Sequence, residues 1–233
     1  MSASNAQLSP LPRLLVSVRD PAEAEAARLA GADLIDAKDP ERGALGALDP
    51  SRVREIVNRV AGGAVTSAVA EPTPEAIAAL AATGVYWVKT GLDAGRRREP
   101  TAFTDLTGAA PKRLIAVLFA EDGPAADLVP ALARAGFAGA MIDTAGKRGV
   151  RLPDLVEPAD LASFTQACRA HGLMSGLAGS LRVIDIAPLA EHGPDYLGFR
   201  GGLCRDFDRR NGIDPLRIAE ALRALRPNQR DAA

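Results

Sequence analysis

Lysine is rare in this chain, and its placement suggests chemistry. Of the 28 basic residues only four are lysines, and all the others are arginines. Arginine stays protonated in proteins, whereas a lysine side chain can lose its proton and become a nucleophile. Three of the lysines and two aspartates end or closely follow short apolar stretches: Asp36, Lys38, Lys89, Asp143 and Lys147. These five are the predicted catalytic residues, and only Lys112 lies apart from such a position.

A cluster of lysines and aspartates suits the formation of an imine. A lysine amine attacks a carbonyl carbon only when it is neutral, and the free side chain is protonated near pH 7. Burial and neighbouring cations both favour the neutral form, so nearby lysines are one way to make a lysine nucleophilic. The aspartates can then accept or relay protons. The alternative interpretation is a set of Asp–Lys ion pairs that join neighbouring strands.

The elements that would position these residues alternate along the whole chain. Apolar, β-branched stretches predict eight strands, at 13–19, 33–38, 64–70, 85–91, 113–120, 138–145, 173–179 and 195–202. Ala-rich amphipathic stretches predict helices between them, at 21–32, 49–63, 73–84, 123–136, 159–172, 180–193 and 214–225. The segment after the fourth strand shows no clear period, and its run "GRRREP" (95–100) is predicted to be a solvated loop.

Eight predicted strands, seven of them followed by a predicted helix, favour an α/β fold, namely a (β/α)8 or TIM barrel. The alternative is an open doubly wound sheet, but the first turn here reads "VRDPAEA" and has no GxGxxG. We expect a single barrel domain over residues 13–228 and a flexible leader over residues 1–12. In a barrel, the carboxyl ends of the strands converge on one mouth, where the predicted catalytic residues would meet.

Two glycine-rich stretches predict a phosphate site at the same mouth. "GLAGSL" (176–181) and "GFRGGLC" (198–204) follow the seventh and eighth strands, where barrel enzymes bind phosphate through backbone N–H groups. Glycine lets the backbone approach an anion closely, and arginine adds charge. The predicted substrate- and phosphate-binding residues are Ser17, Arg19, Gly179, Ser180, Arg200, Gly201 and Gly202, with Arg205 as a further cation.

The composition excludes several other classes of function. The net charge of −1 gives no basic surface for nucleic acid. No apolar stretch approaches the roughly 18 residues of a membrane helix, and the N-terminus lacks a signal-peptide pattern, so we expect a cytoplasmic protein. Cys168 and Cys204 stand alone, without the spacing of metal ligands. We expect no metal or other cofactor, a small phosphorylated aldehyde as the substrate, and a homo-oligomer.

Several motifs in order resemble those of one known family. They are "SVR" (17–19), "DAKDPERGALG" (36–46), "VKTG" (88–91) and "IDTAGKRG" (142–149), followed by the two glycine-rich stretches. Together they resemble (5-formylfuran-3-yl)methyl phosphate synthase, also called 4-(hydroxymethyl)-2-furancarboxaldehyde-phosphate synthase. The resemblance spans essentially the whole chain. One departure is Asp39, which stands where the family pattern leads us to expect glutamate.

The resemblance implies a class I aldolase-like barrel, a lyase that forms a Schiff base and serves methanofuran biosynthesis, in one-carbon metabolism. It would condense two molecules of glyceraldehyde 3-phosphate into the phosphorylated furan aldehyde, with loss of phosphate and water. Lys38 would carry the Schiff base and Lys89 would accept a proton. Asp36, Asp143 and Lys147 would support them.

Two alternatives stay open at the level of sequence. The first is another Schiff-base aldolase, of the deoxyribose-phosphate type, in which Lys89 within "VKTG" would carry the imine in place of Lys38. The second is a barrel that binds a phosphorylated metabolite without turning it over. The first alternative differs from our prediction in the lysine that reacts, and the second in whether phosphate is released.

Overall fold

The computed structural model describes residues 11–97, 102–123, 125–146 and 150–226. Eight strands lie in these ranges: β1 (Arg13–Val18), β2 (Leu34–Ala37), β3 (Val65–Ala70), β4 (Trp87–Leu92), β5 (Leu114–Phe119), β6 (Gly139–Asp143), β7 (Met174–Ala178) and β8 (Tyr196–Phe199). Each strand is parallel to the next, and β8 pairs with β1 to close the barrel. The predicted (β/α)8 fold is confirmed, and the open doubly wound sheet is wrong.

Helices connect the strands on the outside of the barrel. Within the described residues they are α1 (Pro21–Leu29), α2 (Pro50–Val60), α3 (Pro74–Ala81), α4 (Ala94–Arg97), α5 (Ala102–Ala109), α6 (Val129–Ala135), α7 (Pro158–Ala170), α8 (Ile186–Ala190) and α9 (Pro215–Leu225). Five of them begin with proline, whose fixed φ suits the first helical turn and whose missing N–H is not needed there. No helix in the described ranges is long and apolar enough to cross a membrane.

The interior of the barrel has an apolar floor and a polar mouth. Because side chains alternate along a strand, every second residue points inward. Near the amino ends of the strands the inward residues form a small apolar cluster that includes Leu15, Leu34, Ile115 and Tyr196. A much larger apolar core fills the space between the strands and the helices. The buried polar inward residues Ser17, Asp36, Ser67 and Lys89 lie farther toward the carboxyl ends of their strands, where the site lies.

Some predictions about local structure are wrong. Of the run 95–100, residues 98–100 lie outside the described ranges, and the prediction of a solvated loop is wrong at Arg97, which ends α4 and is buried. Its guanidinium donates to the carbonyl oxygens of Leu92 and Phe119, at 3.2 and 2.9 Å. The predicted helix 123–136 begins later than expected, since α6 starts at Val129 with Pro130 in its first turn.

The ends of the predicted domain are only partly described. β1 begins at Arg13 and α9 ends at Leu225, close to the predicted limits of 13 and 228. Of the predicted leader over residues 1–12, residues 1–10 lie outside the described ranges, and so do residues 227–233. The leader therefore stays a prediction.

Candidate active site

Asp36 is the centre of a hydrogen-bonded group at the mouth of the barrel. The strand register places Ser17, Asp36 and Ser67 side by side on β1, β2 and β3. Ser67 donates its hydroxyl to Asp36 Oδ1 at 2.6 Å, and Ser17 donates to Oδ2 at 3.1 Å. Lys89, from β4, places Nζ 2.7 Å from Asp36 Oδ1. All four side chains are buried, so the carboxylate is fixed by three donors.

Lys38 and Asp143 form a second, looser pair in the same mouth. Lys38 Nζ lies 3.9 Å from Asp143 Oδ2, a distance too long for a hydrogen bond. Asp143 Oδ1 accepts the backbone N–H of Thr144 at 2.7 Å, which fixes the orientation of the carboxylate. The two lysines therefore differ, because Lys89 is held directly by a carboxylate and Lys38 lies farther from its own.

Both lysines line one cavity of about 340 Å³. Asp143, Met141 and Ser17 line it as well. This volume is in the range of small-molecule sites, which hold a few polar groups against apolar walls. Four of the predicted catalytic residues are thus brought together, whereas Lys147 lies outside the described residues and stays a prediction.

The two glycine-rich loops line the same cavity, as the sequence suggested. Gly179, Ser180, Gly201 and Gly202 are all lining residues. A Cβ atom on Gly202 would lie 2.1 Å from the carbonyl oxygen of Leu181, so glycine lets the loops after β7 and β8 touch. Glycine is required at position 202 because two segments of backbone contact each other there.

Arg200 lines the cavity, but its guanidinium is already fully used. Its Nη1 and Nη2 both donate to the carboxylate of the buried Glu23 of α1. It also donates to the carbonyl oxygens of Ser17 at 3.1 Å, Arg209 at 2.9 Å and Asn211 at 3.1 Å. All five N–H donors of an arginine are thereby engaged. This geometry makes Arg200 the residue that holds the loop after β8 in place.

The other two predicted cations lie outside the cavity lining. Arg19 is about 40% exposed, forms ion pairs with Asp20 and Glu23, and donates to the carbonyl oxygen of Arg210 at 2.5 Å. Arg205 is exposed and lies beside Gly212. Neither is positioned to line the space between the lysines and the glycine loops.

Three residues of the site were missed in the sequence. Ser67 had a signal, because it is an inward position of β3 in register with Asp36. Glu23 had a weaker one, as an acidic residue in the first turn of α1 that is buried once the helix docks. Arg209 had none, because its place depends on a loop that follows no periodic pattern.

The fold and the site define a class: a (β/α)8 barrel with buried lysine–aspartate pairs at the carboxyl ends of its strands, where barrel enzymes hold their active sites. Phosphoribosyl anthranilate isomerase from Thermus thermophilus shares the fold with a TM-score of 0.70 at 16% identity, covering 92% of this chain and 98% of its own. For TrpF from Jonesia denitrificans the TM-score is 0.63 at 19% identity, with coverages of 95% and 100%. These identities establish the fold alone.

Sequence relatives are more specific. The family model of 4-HFC-P synthase matches residues 14–222. A protein of Methylorubrum extorquens, provisionally named (5-formylfuran-3-yl)methyl phosphate synthase, is 56% identical over 228 residues, or 95% of each chain. The (5-formylfuran-3-yl)methyl phosphate synthase of Methanopyrus kandleri is 34% identical over 221 residues, or 86% of this chain and 93% of its own. The chain belongs to the 4-HFC-P synthase family, which confirms the resemblance seen in the motifs, and it is an enzyme.

Proposed function

We propose that this enzyme condenses two molecules of glyceraldehyde 3-phosphate into (5-formylfuran-3-yl)methyl phosphate, as a lyase of methanofuran biosynthesis. The two trioses together lose one phosphate and two molecules of water to give the product. The chemistry needs a group that activates a carbonyl carbon and groups that move protons beside it. A buried lysine with nearby carboxylates meets both needs without a metal.

Lys38 is the residue that we propose to form the imine. Its amine attacks the carbonyl carbon of one triose, and the carbinolamine loses water to give a C=N bond. The protonated imine withdraws electrons, so a base can take the proton from the neighbouring carbon. The resulting enamine then forms a C–C bond to the aldehyde carbon of the second triose, and the proton returns to the oxygen formed there. Water hydrolyses the C=N bond that this step restores, which frees the Lys38 amine for the next turnover.

The close ion pair of Lys89 carries this assignment. An ammonium 2.7 Å from a buried carboxylate is committed to that ion pair, as Lys89 is to Asp36. Lys38 lines the same cavity, with its Nζ 3.9 Å from Asp143 Oδ2. In this proposal Lys89 and Asp36 exchange protons with the substrate, Asp143 assists at Lys38, and Lys147 has the supporting role that the family motif gives it.

The test is to incubate the purified enzyme with glyceraldehyde 3-phosphate alone. We expect inorganic phosphate and a furan-aldehyde absorbance to appear together, one for one. A sample without enzyme measures the background, since this substrate also loses phosphate slowly by itself, and Lys38→Arg should not exceed that background. Lys112→Met is the matched control, because Lys112 is exposed and far from the cavity, and it should keep full activity.

Two outcomes would contradict the proposal in different ways. Release of phosphate without the furan absorbance would mean that the enzyme eliminates phosphate to another product. No release above that of a sample without enzyme would mean that glyceraldehyde 3-phosphate alone is not the substrate.

A further inference from the structure

The loop after β8 returns over the mouth of the barrel and contributes one more cation to the cavity. Arg209 lies on this loop and lines the cavity with Lys38 and Asp143. The loop is held from below by Arg200, which donates to the carbonyl oxygens of Arg209 and Asn211. The buried Arg200 therefore fixes the position of the Arg209 backbone.

The guanidinium of Arg209 is only partly used by the protein. Its Nη2 donates to the carbonyl oxygen of Gly43 at 2.7 Å, in the loop that follows β2. Its Nε is buried and has no hydrogen-bond partner among the described residues. A buried donor without an acceptor is destabilising, so such a group in a cavity wall points to an acceptor on a ligand.

Other donors surround the same space. The backbone N–H groups of Ser180, Gly201 and Gly202 have no acceptor among the described residues, and all three residues line the cavity. A Cβ atom on Gly201 would lie 3.6 Å from the Cβ of Arg209, so the side chain begins directly above this backbone. The cavity wall includes five lysines and arginines against three aspartates. An anion is the ligand that suits this set.

Arg209 keeps its charge in this setting. Burial lowers the pKa of its guanidinium, while the nearby Asp143 carboxylate acts to raise it. Arginine remains protonated at neutral pH in either case. A planar cation of this kind binds a phosphate monoester through charge-assisted hydrogen bonds, which are about twice as strong as neutral ones.

We propose that Arg209 is the side chain that recognises the phosphate group of the substrate, with the backbone N–H groups of Ser180, Gly201 and Gly202 as its partners. This inference rests on the proposed function for the phosphorylated substrate. The sequence predicted this role for Arg200, whereas the proposal assigns it to Arg209. Arg209 also contacts Gly43, so it would link a bound phosphate to the loop that follows Lys38.

The test is direct binding of inorganic phosphate to the intact enzyme, measured by calorimetry without turnover. Arg209→Gln should weaken binding at least about tenfold, which corresponds to about 1.4 kcal/mol. Arg210→Gln is the matched control: Arg210 is the neighbouring residue, is exposed and pairs with Asp208, so binding should stay within about twofold. Circular dichroism checks that each variant is folded.

Several results would overturn this inference. They are wild-type enzyme that does not bind phosphate, Arg209→Gln that binds it as well as the wild type, or an equal loss in Arg210→Gln. If Arg209→Gln does not fold, Arg209→Lys replaces it, because lysine keeps the charge but lacks the Nε donor and the planar fork. That variant should also bind more weakly, and wild-type affinity would contradict the proposal.

Phosphate binding and furan formation are separate readouts. If the enzyme makes no furan but loses phosphate affinity specifically in Arg209→Gln, the proposed reaction fails and the assignment of Arg209 stands. If furan is made and phosphate affinity does not depend on Arg209, the reaction stands and this assignment fails.

Discussion

At the scale of single residues, the site is governed by the contrast between two lysine–aspartate pairs. Lys89 and Asp36 form a close, completely buried pair that two serine hydroxyls complete. Lys38 and Asp143 are farther apart and border the cavity. A buried ion pair contributes little net stability compared with apolar residues, but breaking it by removing one partner is costly.

This contrast predicts the stability of variants at the close pair. Asp36→Asn should lower the free energy of unfolding by about 3 kcal/mol, because it leaves the Lys89 ammonium buried without a counter-charge. Adding Lys89→Met should recover part of this loss. Urea denaturation measures both, and the exposed Lys112→Met should stay within about 0.5 kcal/mol of the wild type. An Asp36→Asn protein as stable as the wild type would show that the pair does not form.

The sequence predicted which residues meet at the mouth but not how they pair. The strand pattern alone was enough to bring Asp36, Lys38, Lys89 and Asp143 together, because residues at the carboxyl ends of barrel strands converge. Pairing depends on strand register and side-chain reach, which a single strand pattern does not contain. For the same reason Arg200 was predicted to bind phosphate, whereas the docked helix α1 brings Glu23 to it.

At the scale of elements, the two loops after β7 and β8 touch through glycine. Gly202 packs against the carbonyl of Leu181, where a Cβ would lie 2.1 Å from the oxygen. Gly201, the adjacent residue, would have only ordinary contacts at 3.6 Å or more. Both were predicted as phosphate-binding glycines from the motif, but only the structure distinguishes the one that is needed for packing.

This distinction predicts different outcomes for two otherwise similar substitutions. Gly202→Ala should lower the free energy of unfolding by about 1–3 kcal/mol, because backbone must move to relieve the contact. For a protein of this size that corresponds to a Tm lower by several degrees. Gly201→Ala, its control, should change the Tm by about 1 °C at most. Equal Tm values for the two variants would contradict the described contact between the loops.

Element boundaries were predicted less well than element types. Proline explains the late start of the helix predicted at 123–136, since Pro130 is tolerated in the first turn of a helix and α6 therefore begins at Val129. Arg97 was missed for another reason, because its burial depends on two carbonyl groups at the ends of β4 and β5. The Phe119 carbonyl lies 22 residues away in sequence, so no local pattern indicates it.

At the scale of the whole molecule, the closed barrel follows from the repeated strand-then-helix pattern. The two cysteines lie in its tightly packed outer layer. Cys168 lies on α7 and Cys204 in the loop after β8, and both are completely buried. Burial raises the pKa of the Cys168 thiol to about 12 and also raises that of Cys204. Both thiols are therefore protonated in the folded protein at neutral pH.

This packing predicts the reactivity of the folded enzyme toward a thiol reagent. Only a thiolate reacts, so at pH 8 neither cysteine should be labelled by Ellman's reagent in the native state. After unfolding in urea two thiols per chain should react. Rapid labelling of one thiol in the native enzyme would mean that its helix or loop opens readily at that site.

Trapping the imine identifies the lysine that reacts with the substrate. The enzyme is mixed with glyceraldehyde 3-phosphate and borohydride, and the modified peptide is identified by mass spectrometry. We predict that the triose is attached to Lys38, and that Lys38→Arg, which keeps the charge but cannot form an imine, shows no adduct and no activity. Attachment to Lys89 would contradict the account and favour an aldolase of the deoxyribose-phosphate type, and absence of any adduct would contradict imine chemistry altogether.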